Sequence, residues 1–317
     1  MVSVSPWMSR EVLARDLTAP VTVLRAWSFD PSIVAVLVGL GALFHWGVRL
    51  ARRRRGGLGV SNRRVGLFLG GLAVTYLALQ SPIETYSGYL FSVHMIQHLL
   101  LTMVAAPLLV LGMPVTLALE ATSDATRRRF VLPILRSRPV ALLSHPLVAW
   151  TLFTATMWGS HFTGLYEATL VSSPVHALEH TVFLFTAVLF WWPVVGLDPS
   201  PARISHPARL LYLFLAMSQS AFLGLAIYSS DHVLYPHYVR ATLEVGSSPL
   251  ADQQLAAVFM WTTGMFLLVP AMAFVLMDWM NRDEREAART DAALERAASR
   301  RRGTTATPME AGGADPD

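Results

Sequence analysis

Seven long apolar blocks constrain this chain more than any other feature of its sequence. Each block holds about 18 or more residues with few charges, the length that a helix needs to cross the hydrocarbon core of a bilayer. The chain as a whole is 53% hydrophobic and only 15% charged, with a mean hydropathy of +0.45. The blocks cover residues 31–51, 64–82, 88–112, 145–166, 174–196, 208–229 and 253–279. We therefore predict an all-α fold, a polytopic seven-transmembrane-helix bundle embedded in the lipid bilayer.

The basic residues predict the orientation of this bundle. All 25 of them are arginine, and 21 lie in the segments that follow the first, third, fifth and seventh blocks or at the adjoining ends of the blocks. The opposite side holds four, namely Arg10, Arg15, Arg25 and Arg240. Because cytoplasmic segments carry an excess of Lys and Arg, we expect the N-terminus outside and the C-terminus in the cytoplasm. This pattern explains the net charge of +4 as a topology signal, so no nucleic-acid partner is predicted.

The same pattern divides the chain into three parts. Residues 1–30 are predicted to form an outer N-terminal arm, and residues 31–280 form the seven-span membrane domain. Residues 281–317 are predicted to be a cytoplasmic helical extension followed by a disordered tail. The extension is rich in helix-forming residues of both charge signs, whereas the tail is short of large apolar residues.

The histidines are the most informative polar residues of the predicted spans. His94 and His98 stand four residues apart in the third span, and His176 and His180 repeat this spacing in the fifth. A spacing of four puts two side chains on one face of a helix. Ionisable side chains within a membrane are costly, so they usually have a function or a dedicated partner. The candidate metal ligands on the outer side are His94, His98, His176, His180, His161, Met157, His232, Asp231 and Asp252.

Each candidate also has a purely structural interpretation. The paired histidines can be neutral side chains that hydrogen-bond between helices, and His232 can be an ordinary loop residue. Asp252 can cap the seventh helix, since an aspartate at a helix start accepts hydrogen bonds from free backbone N–H groups. Glu84 and Glu179 are expected at the membrane interface.

A metal ion is the simplest reason for two histidine pairs at similar depth. The chain has no cysteine, so the ligands would be imidazole, thioether, carboxylate or backbone groups. Neutral imidazole suits copper and zinc. The thioether of Met157, one turn from His161, favours Cu(I). The residues thus indicate copper or zinc, with the thioether in favour of copper, and a site without thiolates suits transfer better than permanent storage.

Haem is the main alternative cofactor. Two stacked haems need axial ligands well over one turn apart on each helix, whereas a spacing of four gives about 6 Å. A single haem leaves one histidine of each pair unexplained, so haem is less favoured than copper. A metal or proton transporter remains a further alternative. A retinal protein is excluded because its Schiff base requires a lysine. We find no G-x-S-x-G, HExxH, P-loop or GxGxxG motif, and we expect no enzyme.

Four motifs taken together resemble a known family. They are HMIQH in the third span, HALEH opening the fifth, SDHVLYPHY in the outer loop and DQQLAAVFMW entering the seventh span. This set resembles the CtaG-type cytochrome c oxidase assembly factors, the polytopic proteins linked to caa3-type oxidases, over roughly residues 30–280. The matching motif residues are His94, His98, His176, His180, His232, Asp231 and Asp252.

The resemblance implies an accessory role in the maturation of haem–copper cytochrome c oxidase in the plasma membrane of a bacterium. It implies copper supply or insertion on the outer side of that membrane. The implied partners are cytochrome c oxidase subunits and copper chaperones on the outer side. A metal-free scaffold for oxidase subunits, in which the histidines only pack, remains an alternative.

Overall fold

The computed structural model describes residues 25–54, 60–200 and 202–305, and within these ranges every regular element is helical. The helices are α1 (Pro31–Arg54), α2 (Asn62–Gln80), α3 (Pro82–Ser87), α4 (Phe91–Leu99), α5 (Ala106–Leu111), α6 (Pro114–Ala121), α7 (Asp124–Thr126), α8 (Leu132–Leu135), α9 (Arg138–Leu143), α10 (Pro146–Phe162), α11 (Leu165–Val171), α12 (Ser173–Val195), α13 (His206–Tyr228), α14 (Pro236–Glu244) and α15 (Pro249–Thr305). Two π-helical turns, Leu100–Ala105 and Arg127–Val131, join α4 to α5 and α7 to α8. The all-α prediction is confirmed for the described residues.

Within the described residues, five helical segments are long and apolar enough to cross a membrane. They are Pro31–Arg54, Phe91–Ala121, Ser173–Val195, His206–Tyr228 and Pro249–Ser299. The predicted spans 64–82 and 145–166 are also helical, as α2 and α10, but both are weaker candidates. Helix α10 has 17 residues, about 25 Å of helix, and α2 begins with Asn62, Arg63 and Arg64. The structure thus supports a multi-pass protein, while the count of seven and the orientation of the termini stay predictions.

The third predicted span contains a π-helical turn directly after His98. Within this turn, the Thr102 hydroxyl donates to the His98 carbonyl at 2.7 Å, and the Trp191 indole N–H donates to the Thr102 carbonyl at 2.9 Å. A π-helical turn changes the backbone hydrogen-bond register and often occurs at functional sites. The Thr102 and Trp191 donors fix the backbone at the C-terminal end of α4, and therefore the position of His98 along the predicted span.

Helix α12 packs against α10 and against the segment from Leu100 to Leu111. Small buried residues allow this approach, among them Ala105, Ala149 and Ala187. Away from this contact, Phe44 of α1 stacks on Phe68 of α2 with ring centroids 3.8 Å apart. The packing of α4 and α12 near their N-terminal ends brings the two histidine pairs of the sequence together.

Contacts divide the chain into two units, residues 1–272 and 273–317. The second unit is helical through Thr305, and its side chains between residues 281 and 299 are almost all exposed. Helix α15 thus covers the segment predicted as the extension, whose cytoplasmic position stays a prediction. Most of the predicted N-terminal arm, residues 1–24, and residues 306–317 of the predicted tail lie outside the described residues.

Candidate metal centre

The start of α4 is held by an aspartate from another helix. The carboxylate of Asp252, in the first turn of α15, accepts hydrogen bonds from the backbone N–H of Phe91 at 2.6 Å and of Ser92 at 3.3 Å, and from the Ser92 hydroxyl. A carboxylate at a helix N-terminus satisfies free N–H groups and complements the helix dipole. The sequence predicted Asp252 as a metal ligand or as a cap of its own helix. In the structure Asp252 caps α4, the helix that carries His94 and His98, and its role as a metal ligand stays a prediction.

His94 and His98 face each other across one turn of α4. Their Nε2 atoms are 2.7 Å apart, and their side chains are 0% and 5% exposed. Two neutral imidazoles at this distance share one hydrogen, which one ring donates and the other accepts. The predicted common face is therefore observed, and both rings are buried.

Helix α12 adds a carboxylate and a third imidazole to this pair. Oε2 of Glu179 lies 3.8 Å from Nε2 of His94 and 3.9 Å from Nε2 of His98. The His180 ring has its centroid 5.4 Å from that of His98. One ligand atom from each of the four residues lies within 4.8 Å of the others, and all four are buried. We call His94, His98, Glu179 and His180 the buried cluster.

The buried cluster lacks hydrogen-bond partners for most of its ligand atoms. Among the described residues, no donor meets either carboxylate oxygen of Glu179, and no partner meets Nδ1 of His94, Nδ1 of His98 or Nε2 of His180. The nearby Thr169 hydroxyl donates to the Tyr166 carbonyl instead. A buried polar group without a partner is costly, and a buried carboxylate more so. A cation bound among these atoms would offset that cost.

A second candidate group lies next to the buried cluster and shares His180 with it. It consists of Glu84, His176 and His180. Oε1 of Glu84 lies 3.8 Å from Nδ1 of His176, and the centroids of the His176 and His180 rings are 4.2 Å apart. The amide of Gln97 donates both to Oε2 of Glu84 and to the Ala78 carbonyl. Burial raises the pKa of Glu84 to about 7.

His161 belongs to neither group, and its contacts differ from those predicted. Its Nδ1 lies 2.6 Å from the Met157 carbonyl, which can only accept, so a neutral His161 carries its hydrogen on Nδ1. Nε2 then presents a lone pair to the thioether sulfur of Met95, at 3.4 Å. The sequence paired His161 with the Met157 thioether. In the structure Met157 contributes its carbonyl, and Met95 contributes the sulfur.

The predicted ligands of the outer loop lie in an exposed pair. Nδ1 of His232 is 3.0 Å from Oδ1 of Asp231, and the two side chains are 73% and 98% exposed. Hydrogen bonding to His232 lowers the pKa of the Asp231 carboxyl. Neither residue belongs to the two candidate metal-binding groups found among the described residues. His237, in the first turn of α14, hydrogen-bonds through Nε2 to the Gly88 carbonyl at 2.9 Å, a structural contact.

Aromatic rings enclose the buried cluster. The Tyr166 ring lies edge-on to His94 with centroids 5.2 Å apart, and Phe183 lies edge-on to His98 at 4.1 Å. Tyr166 in turn contacts Phe91 and the fully buried Tyr238. These rings exclude water from one side of the cluster, which strengthens electrostatic interactions within it.

Three residues of the site were missed or misplaced by the sequence interpretation. Glu84 and Glu179 were expected at the interface, and Met95 was not considered. Two of the three stand beside a predicted ligand: Glu179 precedes His180 in HALEH, and Met95 follows His94 in HMIQH, whereas Glu84 lies in none of the four motifs. That adjacency was the available signal, although only the packing of the helices decides which neighbour faces the cluster.

An all-helical fold with several membrane-length apolar helices and a buried histidine–carboxylate cluster defines a multi-pass membrane protein with a candidate metal centre. The chain belongs to the cytochrome c oxidase caa3 assembly factor family (Caa3_CtaG), whose model matches residues 42–282. This match confirms the resemblance seen in the four sequence motifs.

The similar curated proteins are mycobacterial and are themselves described as uncharacterized. The chain is 32% identical to uncharacterized protein Mb0105 of Mycobacterium bovis over 289 residues, which cover 88% of the chain and 43% of that protein. It is 31% identical to uncharacterized protein ML1998 of Mycobacterium leprae over 290 residues, which cover 88% of the chain and 44% of that protein. The chain thus spans less than half the length of these relatives. No solved structure matches it.

Proposed function

We propose that this protein is an accessory factor that binds copper as cargo in the buried cluster and aids its insertion into a maturing haem–copper cytochrome c oxidase. The observation that carries the proposal is the buried carboxylate of Glu179. It has no hydrogen-bond donor among the described residues and lies within 4 Å of the two imidazole nitrogens of His94 and His98. Membership of an oxidase assembly family supports the accessory role, so we propose no catalytic one.

The donor set fits copper. Three imidazoles and one carboxylate converge without a thiolate, and imidazole suits copper in both of its common oxidation states. The thioether of Met95 and the Nε2 lone pair of His161 add a soft pair of donors 3.4 Å apart. Permanent metal sites usually fix each ligand ring by a hydrogen bond from its second nitrogen. Nδ1 of His94 and Nδ1 of His98 meet no such acceptor in the part of the chain that the structure describes, which suits a transient site.

Haem is a weaker fit for the same residues. The four rings of His94, His98, His176 and His180 lie with centroids 4.2 to 6.0 Å apart where their pairs contact each other. A porphyrin needs an open slot between two axial ligands, whereas these rings contact one another directly. A small ion matches this spacing better.

The membrane side and the partners are part of the proposal. We place the cluster toward the outer side of a bacterial plasma membrane, on the basis of the arginine distribution. Copper chaperones on that side would deliver the ion, and an oxidase subunit would receive it. The exposed loop with Asp231 and His232 lies on the same predicted side.

The test is the metal content and visible spectrum of the full chain purified from copper-supplemented membranes. We expect about one copper per chain, no Soret band, and loss of copper from a His94→Ala/His98→Ala variant. An Asp231→Asn/His232→Ala variant is the matched control and should keep its copper. A copper-free wild type that still supports oxidase maturation would contradict the copper site and favour the role of a metal-free scaffold. A Soret band lost in the His94→Ala/His98→Ala variant would indicate haem instead.

A further inference from the structure

The two groups that can hold a metal ion share one residue, His180, and differ in exposure. The side chains of His176 and Glu84 are 20% and 25% exposed, whereas those of His94, His98 and Glu179 are 0%, 5% and 3% exposed. His176 and Glu84 are thus more accessible than the buried cluster, and both are metal-ligating residue types.

We propose that Glu84 and His176 form a loading pair, which takes up the copper ion first and passes it to the buried cluster through His180. This inference rests on the proposed function, because it assumes that the buried cluster receives copper. It adds a second, transient metal site and a direction of movement.

The loading pair has the features of a weak first site. Glu84 contributes Oε1 and His176 contributes Nδ1, 3.8 Å apart, and Oε2 of Glu84 is fixed by the Gln97 amide. Nε2 of His176 is buried and has no partner among the described residues. A partly exposed carboxylate and imidazole can replace some of the water ligands of an arriving ion while others remain.

His180 can bind the ion throughout the transfer because its ring contacts both groups. Its centroid lies 4.2 Å from that of His176 and 5.4 Å from that of His98. The ion would keep its bond to His180 while its bonds to Glu84 and His176 break and bonds to His94 and His98 form. The ion thus never loses all protein ligands in a medium where an unpaired charge is costly.

The transfer balances without another reactant. The oxidation state of copper does not change, and no proton enters or leaves the two rings of His94 and His98. The ring that donates the shared Nε2 hydrogen carries it on Nδ1 instead, so that both Nε2 lone pairs face the ion. Glu179 then lies beside a cation rather than beside two neutral rings.

The alternative is that Glu84 and His176 only pair with each other. A partly exposed carboxylate–histidine contact at 3.8 Å contributes little to stability, so removing it would leave both the metal content and its kinetics unchanged. The two possibilities therefore differ in the rates of copper loading and removal rather than in the stability of the protein.

The experiment measures copper loading and removal on the full chain in detergent. Cu(I) is delivered from a coloured bicinchoninate complex in a stopped-flow instrument, and is later extracted with an excess of the same chelator. We compare wild type with a Glu84→Gln/His176→Asn variant, in which the glutamine can still accept from Gln97. The Asp231→Asn/His232→Ala variant serves as the control.

We expect the loading-pair variant to bind the same amount of copper with an unchanged Kd, but to load and release it about tenfold more slowly. Equal slowing of both directions is the signature of a residue on the path rather than at the end of it. Wild-type rates in this variant would overturn the loading pair while leaving the proposed function intact. Loss of bound copper from it would also overturn the inference, since Glu84 and His176 would then be ligands of the final site. Absence of copper from wild type would instead contradict the proposed function.

Discussion

Two parts of this protein pair histidine with a carboxylate, and they differ in almost every other respect. In the buried cluster, Glu179 lies close to two imidazole nitrogens, and neither of its oxygens meets a donor among the described residues. In the outer loop, Asp231 contacts His232 at 3.0 Å, and both side chains face solvent. Water solvates both side chains of the exposed pair, whereas the buried group has no such stabilisation. Residue type alone therefore does not identify a site, and burial without partners is the more informative observation.

The two regions should differ most in copper binding when the carboxyl group of each is replaced by an amide. Glu179→Gln should weaken copper binding by about 10- to 100-fold. The same change should not lower the stability of the copper-free protein, because neither oxygen of Glu179 makes a hydrogen bond to a described residue. Copper competition and thermal unfolding in detergent measure the two effects.

Asp231→Asn is the matched change in the exposed pair and should alter neither quantity. A fall in the stability of the copper-free Glu179→Gln variant would contradict this interpretation. It would indicate that Glu179 is paired with a protonated histidine, as a proton transporter would require.

The next effect concerns the cap that positions the cluster. Asp252→Ala removes the hydrogen bonds to Phe91 and Ser92 and should lower stability by about 1–2 kcal/mol. Because the start of α4 would loosen near His94, copper affinity should also fall. Asp198→Ala is a close control, since Asp198 accepts from Thr116 N–H at 2.8 Å and Val115 N–H at 3.2 Å in α6. It should lower stability alone, and an equal loss of copper affinity in both variants would show that the cap has no specific role.

A smaller effect is expected at the π-helical turn. Trp191→Phe removes the hydrogen bond to the Thr102 carbonyl, which is worth about 1 kcal/mol. Trp192→Phe makes the same change at a neighbouring indole whose N–H has no partner among the described residues. Comparing the two by thermal unfolding cancels much of the change in packing. Equal destabilisation would mean that the hydrogen bond to the turn does not matter.

The smallest effect should come from the outer loop. The Asp231→Asn/His232→Ala variant should retain wild-type copper content, wild-type loading rate and wild-type unfolding temperature, because both side chains are largely solvated. A loss of oxidase maturation in cells with copper binding intact would assign the loop to partner recognition. A loss of copper binding would place a ligand in the loop, as the sequence interpretation allowed.

The sequence predicted those features that depend on one helix and left out those that depend on several. Spacing of four within one helix was enough to place His94 with His98 and His176 with His180. The cap from Asp252 to α4 joins residues about 160 positions apart, and no local pattern reports it. The burial of Glu179 depends likewise on how α12 meets α4, so an interfacial position was the default expectation for a glutamate near a span end. The π-helical turn follows from packing around Thr102 and Trp191, and had no sequence signal that we recognised.

The central claim is that imidazoles of the buried cluster hold copper, and X-ray absorption at the copper K-edge tests it most directly. On copper-loaded wild type we expect nitrogen or oxygen ligands at about 2.0 Å with the multiple scattering of imidazole rings. That imidazole signal should be lost in the His94→Ala/His98→Ala variant and kept in the Asp231→Asn/His232→Ala variant. A spectrum dominated by sulfur and unchanged by loss of His94 and His98 would contradict the claim and move the copper to the methionines.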